Sequence, residues 1–295
     1  MTPLDDTAHV ETTARGIAPS RSRSRIEIEF ARAPEGETYL RRQHAAYPYH
    51  LCRPHRFAGD PEGMATLYLQ SCAGGIYAGD RLEERVIVRE GARAQVTTQA
   101  ASIVHSMVGS SAAQSVHIEA EPGAFVEFLP DPLILFPQAA LETRLRIRAA
   151  ESATVIACDS FLMHDPEAQG GVFSRLAAEI AAEKSDGRLL ALDRFEVAGA
   201  TMRRGLAGIA GRFGAHGSLW VLSRDRPAGE LVEAMREKLA GIAGIYAGAS
   251  LLPNQAGAAV RLLAEDGVAL RAGLFAAWAA ARQALTGRLP EPRRK

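Results

Sequence analysis

Residues 86–96 read VIVREGARAQV, and two later stretches follow the same plan: IEAEPGAFVEF at 118–128 and IRAAESATVIA at 147–157. Each consists of a short strand, a tight turn with a small residue and a second strand, and the units recur at intervals of about 30 residues. Stacked units of this kind predict a helical, solenoid-like β architecture. A run of unrelated hairpins in a sandwich has a similar pattern, and the repeat alone leaves that alternative open.

Around the repeat the dominant hydrophobic period is two. Apolar and polar side chains alternate over residues 26–30, 116–120 and 144–148. Such alternation places one face of a strand in a core and the other in water. The predicted core face therefore carries the apolar set, and Arg144, Arg146 and Arg148 face solvent.

The character of the chain changes after about residue 215. The patterns predict strands over 218–222, 248–252 and 258–263 and helices over 229–240 and about 271–285. The last helix is apolar almost all round, which predicts burial in the fold or docking on a partner. The predicted organisation is a flexible tail over 1–25, one β-rich domain over 26–287 whose part from 215 onward is α+β, and a flexible basic tail over 288–295.

Composition excludes several classes of function. Among 295 residues, 34 Lys and Arg balance 34 Asp and Glu, so no global charge attracts nucleic acid or an anionic membrane. The three cysteines, Cys52, Cys72 and Cys158, are too few and scattered for a disulfide framework. The longest nearly uncharged run, 272–281, is too short to span a bilayer. We expect a soluble cytoplasmic protein.

The most unusual stretch is SCAGGIYAGDRL at 71–82. It is neither a P-loop nor a dinucleotide-binding turn, because the required Gly-Lys-Ser/Thr and GxGxxG patterns are missing. The plain interpretation is a glycine-rich loop entering a strand, with Asp80 closing a turn. We expect positive φ at Gly74, so that Gly74→Val would harm folding.

Two further groups of side chains are candidates for chemistry. His50, Cys52 and His55 carry donors for a soft or borderline metal, although Pro54 and the adjacent arginines favour an ordinary surface loop. The stretch EFLPDPLILFP at 127–137 joins two acids to three prolines, which bend strands or line a sheet edge. Its carboxylates would suit acid–base work or a passage for a cation.

Three blocks, taken in order, resemble the urease accessory protein family UreD, also called UreH. They are GGIYAGDRL at 74–82, TTQAA at 97–101, and EFLPDP with LF at 127–136. The matching motif residues are Gly74, Gly75, Gly79, Thr97, Thr98, Gln99, Pro130 and Pro132. The chain departs from the family after the second block, where Ile103 and His105 stand in place of a Lys and an aromatic residue.

The resemblance implies a non-enzymatic scaffold that binds apo-urease and UreF, and through UreF the GTPase UreG. It implies no tightly bound cofactor; nickel would be in transit toward the urease metallocentre. The implied fold is mainly β, a two-layer, β-helix-like stack of strands with a small α+β C-terminal part of two helices. Carried over by motif, Asp80, Glu127 and Asp131 are candidates to line a nickel passage, with Glu167 as a further counterpart.

Two other classes of function remain open from the residues. One is an enzyme on a stacked-strand scaffold acting on a carbohydrate or small acid, which requires carboxylates converging in an exposed groove. The other is a generic β-rich interaction module.

Overall fold

The computed structural model describes residues 23–291. The strands of the first half are β1 (Arg23–Arg32), β2 (Thr38–Ala45), β3 (Tyr49–Leu51), β4 (Ala65–Ser71), β5 (Arg81–Val88), β6 (Arg93–Thr98), β7 (Ser102–Val104), β8 (Ala112–Ala120), β9 (Phe125–Leu129) and β10 (Leu133–Leu135). The second half contains β11 (Ala140–Ala149), β12 (Thr154–Met163), β13 (Arg175–Lys184), β14 (Leu189–Val197), α1 (Gly199–Arg203), β15 (Ala215–Ser223), α2 (Ala228–Leu239), β16 (Ile245–Leu251), a 3-10 turn (Pro253–Gln255), β17 (Gly257–Ala264) and α3 (Gly267–Thr286).

The strands form two layers. Sheet A has the order β14-β13-β11-β8-β5-β1-β2, and sheet B has the order β16-β17-β15-β12-β9-β6-β4-β3, with β7 and β10 attached beside β12. Strands β1, β5, β8, β11 and β13 run parallel in sheet A, as do β4, β6, β9 and β12 in sheet B. The chain therefore alternates between the layers, coil upon coil, and the predicted mainly β, stacked-strand fold is confirmed.

The three sequence repeats lie in register. Val86 pairs with Ile118, and Ile118 pairs with Ile147. In the other sheet Val96 pairs with Phe128, which pairs with Ala157. The turns also stack, since Phe125 N–H donates to the Ala92 carbonyl and Thr154 N–H to the Ala124 carbonyl. Each repeat is thus one half-coil laid on the previous one.

The main core lies between the sheets. Ile26, Ile28 and Phe30 from β1 and Val116 and Ile118 from β8 are buried there. Arg144, Arg146 and Arg148 point to the exposed face of sheet A, in opposite phase to buried Leu145 and Ile147. The period-two prediction therefore holds in the stacked strands.

Helices α2 and α3 cover the other face of sheet B and form a second core. Trp278, Ala281 and Leu285 of α3 are buried, so the apolar helix belongs to the fold rather than to a free docking face. Asp266 caps its N-terminus by accepting the N–H of Val268 and Ala269, and Gly287 ends it with a left-handed φ of 71°. Within residues 23–291 no helix combines the length and apolarity needed to cross a membrane.

The predicted tails differ from the structure at their inner boundaries. β1 begins at Arg23, so residues 23–25 pair with β5 instead of belonging to a tail. Pro290, predicted within the C-terminal tail, is buried. The rest of the predicted tails, residues 1–22 and 292–295, lies outside the described residues.

Candidate functional site

Three adjoining spaces run through the layer between the sheets and out toward α3. The loop-side cavity, about 240 Å³, is lined by residues that include Gly74, Gly75 and Ile103. The central cavity, about 50 Å³, shares Glu84, Thr98, Ser102 and Gln114 with it. The helix-side cleft, about 490 Å³, shares Pro130, Asp131 and Cys158 with the central cavity and is closed by α3. The three spaces are therefore neighbours in a row, and acidic side chains lie along that row.

Glu84 stands where the loop-side and central cavities meet. It is 5% exposed, and its Oε1 accepts hydrogen bonds from Tyr49 Oη at 3.0 Å and Gln114 Nε2 at 2.8 Å. Burial raises the pKa of Glu84, although both donated hydrogen bonds oppose the shift. Glu84 occupies an inward-facing position of β5 between Leu82 and Val86, which are apolar.

Asp159 lies on the wall of the central cavity. Burial raises its pKa to about 6, and the nearby Asp193 charge adds to the shift. The hydroxyl groups of Ser160 on β12 and Thr143 on β11 of the other sheet also line this cavity and are buried without a hydrogen-bond partner. Buried polar atoms of this kind require water or a polar solute as partner. At about 50 Å³ the central cavity is large enough to hold such a water.

The second and third family blocks meet at the cleft end of the row. Thr97 of β6 pairs with Leu129 of β9, and the Thr97 hydroxyl donates to the Leu129 carbonyl at 2.6 Å. Beyond the strand ends, Asp131 N–H donates to Thr98 Oγ1 at 2.8 Å, and the Thr98 hydroxyl lies 3.3 Å from Asp131 Oδ2. These contacts hold the Asp131 carboxylate at the boundary between the central cavity and the cleft.

The glycine block forms the outer wall of the loop-side cavity. The expectation of positive φ at Gly74 is wrong; Gly75 and Gly79 have φ values of 147° and 85°. Gly75 also lies so close to Ile103 that a Cβ would overlap the Ile103 carbonyl oxygen. Asp80 closes a turn as predicted, because its Oδ2 accepts the Tyr77 N–H at 2.8 Å.

Three of the four predicted passage residues lie away from the cavities. Glu127 is fully buried on the α3 side of sheet B, where its carboxylate accepts hydrogen bonds from Gln95, Trp278 and Arg282. Glu167 is exposed in the loop after β12. Asp80 is near Tyr49 but lines none of the three spaces. The structure thus brings Asp131 to the row and leaves Asp80, Glu127 and Glu167 at separate places.

The weak metal candidates do not gather into a cluster. His50 Nδ1 and Cys52 Sγ both contact Gln70 Oε1, at 2.8 Å and 3.4 Å, whereas His55 stacks near Phe57 and Tyr68. Across residues 23–291, no group of three or more His, Cys, Asp or Glu side chains is arranged to hold a metal ion.

Comparison with known proteins agrees with the three blocks. A family model described as "UreD urease accessory protein" matches residues 22–295. The chain is 39% identical over 277 residues to Urease accessory protein UreD 1 of Pseudomonas syringae pv. syringae (strain B728a), covering 94% of this chain and 97% of that protein. It is 37% identical over 293 residues to Urease accessory protein UreD 1 of Methylorubrum populi (strain ATCC BAA-705 / NCIMB 13946 / BJ001), covering 99% of both.

The chain belongs to the UreD urease accessory protein family. The resemblance predicted from the glycine, TTQAA and EFLPDP blocks is confirmed. UreD proteins are accessory proteins, not enzymes, so the predicted absence of a catalytic role also holds.

Within this UreD fold, sequence reasoning missed Glu84, Asp159 and Arg282. Glu84 left a signal, because it interrupts the inward apolar phase of Leu82 and Val86. Arg282 left another, because an arginine four residues after Trp278 lies on the same face of the helix as that tryptophan. Asp159 left little signal in the sequence, because β12 is buried on both faces over most of its length.

Proposed function

We propose that this protein is a non-catalytic scaffold that binds apo-urease and a UreF–UreG subcomplex and helps deliver nickel to the urease metallocentre. We further propose that nickel travels through the row formed by the loop-side cavity, the central cavity and the helix-side cleft. The observation that carries this proposal is the adjacency of the three spaces, which share lining residues at both boundaries.

The lining chemistry suits a transported cation. Glu84, Asp159 and Asp131 follow one another along the row and offer oxygen atoms. Nickel binds more strongly to imidazole and thiolate groups than to isolated oxygen ligands. A wall of carboxylates, hydroxyls and water would therefore hold the ion weakly enough to release it. This favours transit over storage.

The positions of the three spaces change which residues we propose to line the nickel passage. Asp131 remains a proposed lining residue. Glu127 is left out, because its carboxylate already accepts four hydrogen bonds and faces α3 rather than the space between the sheets. Asp80 supports the glycine loop at the outer wall. An enzyme acting through Asp80, Glu127 and Asp131 has no support, because the three carboxylates do not converge in a cleft.

The decisive test fills the junction between the loop-side and central cavities. Ser102 lines both spaces. Ser102→Leu would occupy the junction, whereas Ser102→Ala would leave it open and serves as the matched control. Each variant is co-expressed with urease and the other accessory proteins in nickel-containing medium, and the purified urease is assayed for nickel per active site and for bound scaffold.

We expect Ser102→Leu to remain bound to urease while nickel loading falls at least several-fold, and Ser102→Ala to load normally. Normal loading by a folded, bound Ser102→Leu variant would contradict passage through the row. Failure of the unaltered chain to bind apo-urease would contradict the scaffold itself. We also propose a cytoplasmic location, since a reducing compartment suits the three free cysteines.

A further inference from the structure

The two long edges of the solenoid are built differently. One edge consists of short, stacked turns at 89–92, 121–124 and 150–153. The opposite edge, here called the loop edge, carries the longer connections 72–80, 99–111, 130–139, 164–174 and 198–214. In stacked-repeat proteins the longer insertions collect on one face, and that face is commonly the binding face.

A row of rings runs along the loop edge. Tyr77, His105, Phe136 and His164 come from four successive connections, with centroids 4.5, 5.7 and 5.8 Å apart. Backbone hydrogen bonds fix the spacing, since His105 N–H donates to Ile76, Phe136 N–H to Val104 and His164 N–H to Leu135. This ring row is partly exposed and ordered, as an aromatic contact surface requires.

Next to the ring row stands an exposed knuckle, residues 203–209, with the sequence RRGLAGI. All seven residues are exposed, and buried Met202 and Ala210 anchor the two ends. The Leu206 carbonyl accepts the N–H groups of residues 209, 210 and 211. Arg203 Nη2 donates to the Gly171 carbonyl at 2.7 Å, which ties the knuckle to the loop after His164.

The knuckle presents a mixed apolar and basic surface. Leu206 is 38% exposed and Ile209 is 49% exposed, on a segment held in place by its own hydrogen bonds. Arg203 and Arg204 precede both residues on the same segment, and neither forms an ion pair within the part of the chain that the structure describes. Aliphatic side chains displayed in this way cost solvation and gain nothing for the core, which is typical of a protein-binding surface.

We propose that the ring row and the knuckle together form the surface that docks apo-urease. The matching face of urease would place carboxylates opposite Arg203 and Arg204 and apolar side chains opposite Leu206 and Ile209. This inference rests on the proposed scaffold function and adds the location of the interface.

The position of the loop-side cavity favours urease as the occupant. Its wall includes Gly75, Ile76 and Ile103, which directly precede or lie beside Tyr77 and His105 of the ring row. A partner seated on the loop edge would cover this opening and receive whatever leaves it. We assign this position to the nickel acceptor, and the binding test below distinguishes it from UreF. A nucleic-acid partner is disfavoured by the balanced charge of the chain.

The test uses the full chain and nickel-free urease as the probe. Leu206→Asp combined with Ile209→Asp removes the apolar contact. Leu189→Asp combined with Leu192→Asp is the matched control, because those leucines are 49% and 47% exposed on β14, outside the knuckle. Thermal unfolding of each purified variant verifies folding, and Kd for apo-urease is measured by titration.

We expect the knuckle variant to raise Kd about tenfold or more, as loss of an interface hot spot does, and the β14 control to leave it within about twofold. Arg204→Glu should weaken binding and reduce its salt dependence, whereas Arg226→Glu, exposed near the turn edge, should not. The comparison of Arg204→Glu with Arg226→Glu keeps the proposal testable if the double variant Leu206→Asp and Ile209→Asp does not fold.

Equal Kd values for the knuckle variant, its control and the unaltered chain would overturn the location while leaving the scaffold function standing. Loss of UreF binding with urease binding retained would overturn the choice of urease as occupant. Absence of any urease binding by the unaltered chain would instead remove the scaffold function on which the inference rests.

Discussion

Arg282 and Glu127 form an ion pair in which both side chains are fully shielded from solvent. Arg282 Nε lies 2.8 Å from Glu127 Oε1, and Nη2 lies 2.5 Å from Oε2. Trp278 Nε1 and Gln95 Nε2 complete the shell around the carboxylate at 2.9 Å and 2.6 Å. The two residues are 155 positions apart in the sequence, and their ion pair links α3 to strand β9 of sheet B.

Replacing Glu127 by Gln should destabilise the fold despite the similar shape. The NH2 group of the new amide would face the N–H donors that surround the Glu127 carboxylate. Arg282 would also lose one of its two buried counter-charges, the other being Asp60. We expect the free energy of unfolding to fall by about 2–4 kcal/mol, measured by urea denaturation.

The matched control is Glu121→Gln. Glu121 pairs with Arg89 at 2.6 Å, but both side chains are over a third exposed. Its loss should cost less than about 1 kcal/mol, because water screens an exposed pair. A cost for Glu127→Gln no larger than that of the control would show that the buried pair does not fasten α3.

The pH dependence of stability should report on Asp159. The pKa of this carboxyl is raised from 3.8 to about 6 in the folded protein. Between those values the folded state binds the proton and the unfolded chain does not, so the contribution of Asp159 to the free energy of unfolding falls as pH rises. Asp159→Asn should therefore be more stable than the unaltered chain by about 2 kcal/mol at pH 7.

That advantage should vanish below pH 4, where Asp159 is protonated in both states. The comparison must use the difference between the two proteins, because His216, whose pKa burial lowers to about 4, titrates in the same range with the opposite sign. His216 is present in both and cancels. A difference independent of pH between 4 and 7 would mean that folding does not raise the pKa of Asp159.

Backbone geometry separates the two adjacent glycines of the first block. Gly75→Ala should be strongly destabilising, by about 2 kcal/mol or more, because φ is positive and the new Cβ meets the Ile103 carbonyl. Gly74→Ala should cost less than about 1 kcal/mol, since the nearest obstacle is the movable Tyr77 hydroxyl. Thermal unfolding of both variants measures the contrast, and equal losses would contradict it.

The stacking of the coils could be predicted from the sequence, because parallel half-coils place the same repeat position one above another. Val86, Ile118 and Ile147 are therefore aligned both in the repeat and in the sheet. Period two likewise predicted the buried face of β8 and β11. These features depend on local periodicity, which a single sequence displays.

The candidate site depends on which face of each layer is covered, and local periodicity does not settle that. Glu127 is in phase with Phe125 and Leu129, which face α3, and out of phase with Phe128, which faces the other sheet. Its burial follows from α3, which supplies Arg282 from the far end of the chain. The ring row likewise could not be predicted from the sequence, because His105 and His164 are distant in sequence and contact Phe136 only through the stacking of the coils.

A last prediction separates the stability of the central cavity from its function. The Ser160 hydroxyl is buried, lines that cavity and lacks a hydrogen-bond partner. Ser160→Ala removes an unsatisfied polar group, so the free energy of unfolding should stay unchanged or rise by up to about 1 kcal/mol. If the hydroxyl serves a hydrated ion in transit, nickel loading of co-expressed urease should nevertheless fall.

Thr66→Val provides the opposite case. The Thr66 hydroxyl is buried outside the three spaces and lies 2.9 Å from Asp60 Oδ2 and 3.2 Å from Gln95 Oε1. Its loss should cost about 1–2 kcal/mol of stability and leave nickel loading unchanged. If the central cavity has only a structural role, nickel loading should follow stability. Thr66→Val would then load less nickel, and Ser160→Ala would load as well as the unaltered chain. Measured unfolding free energies set beside nickel per urease active site therefore decide whether the central cavity participates in transit.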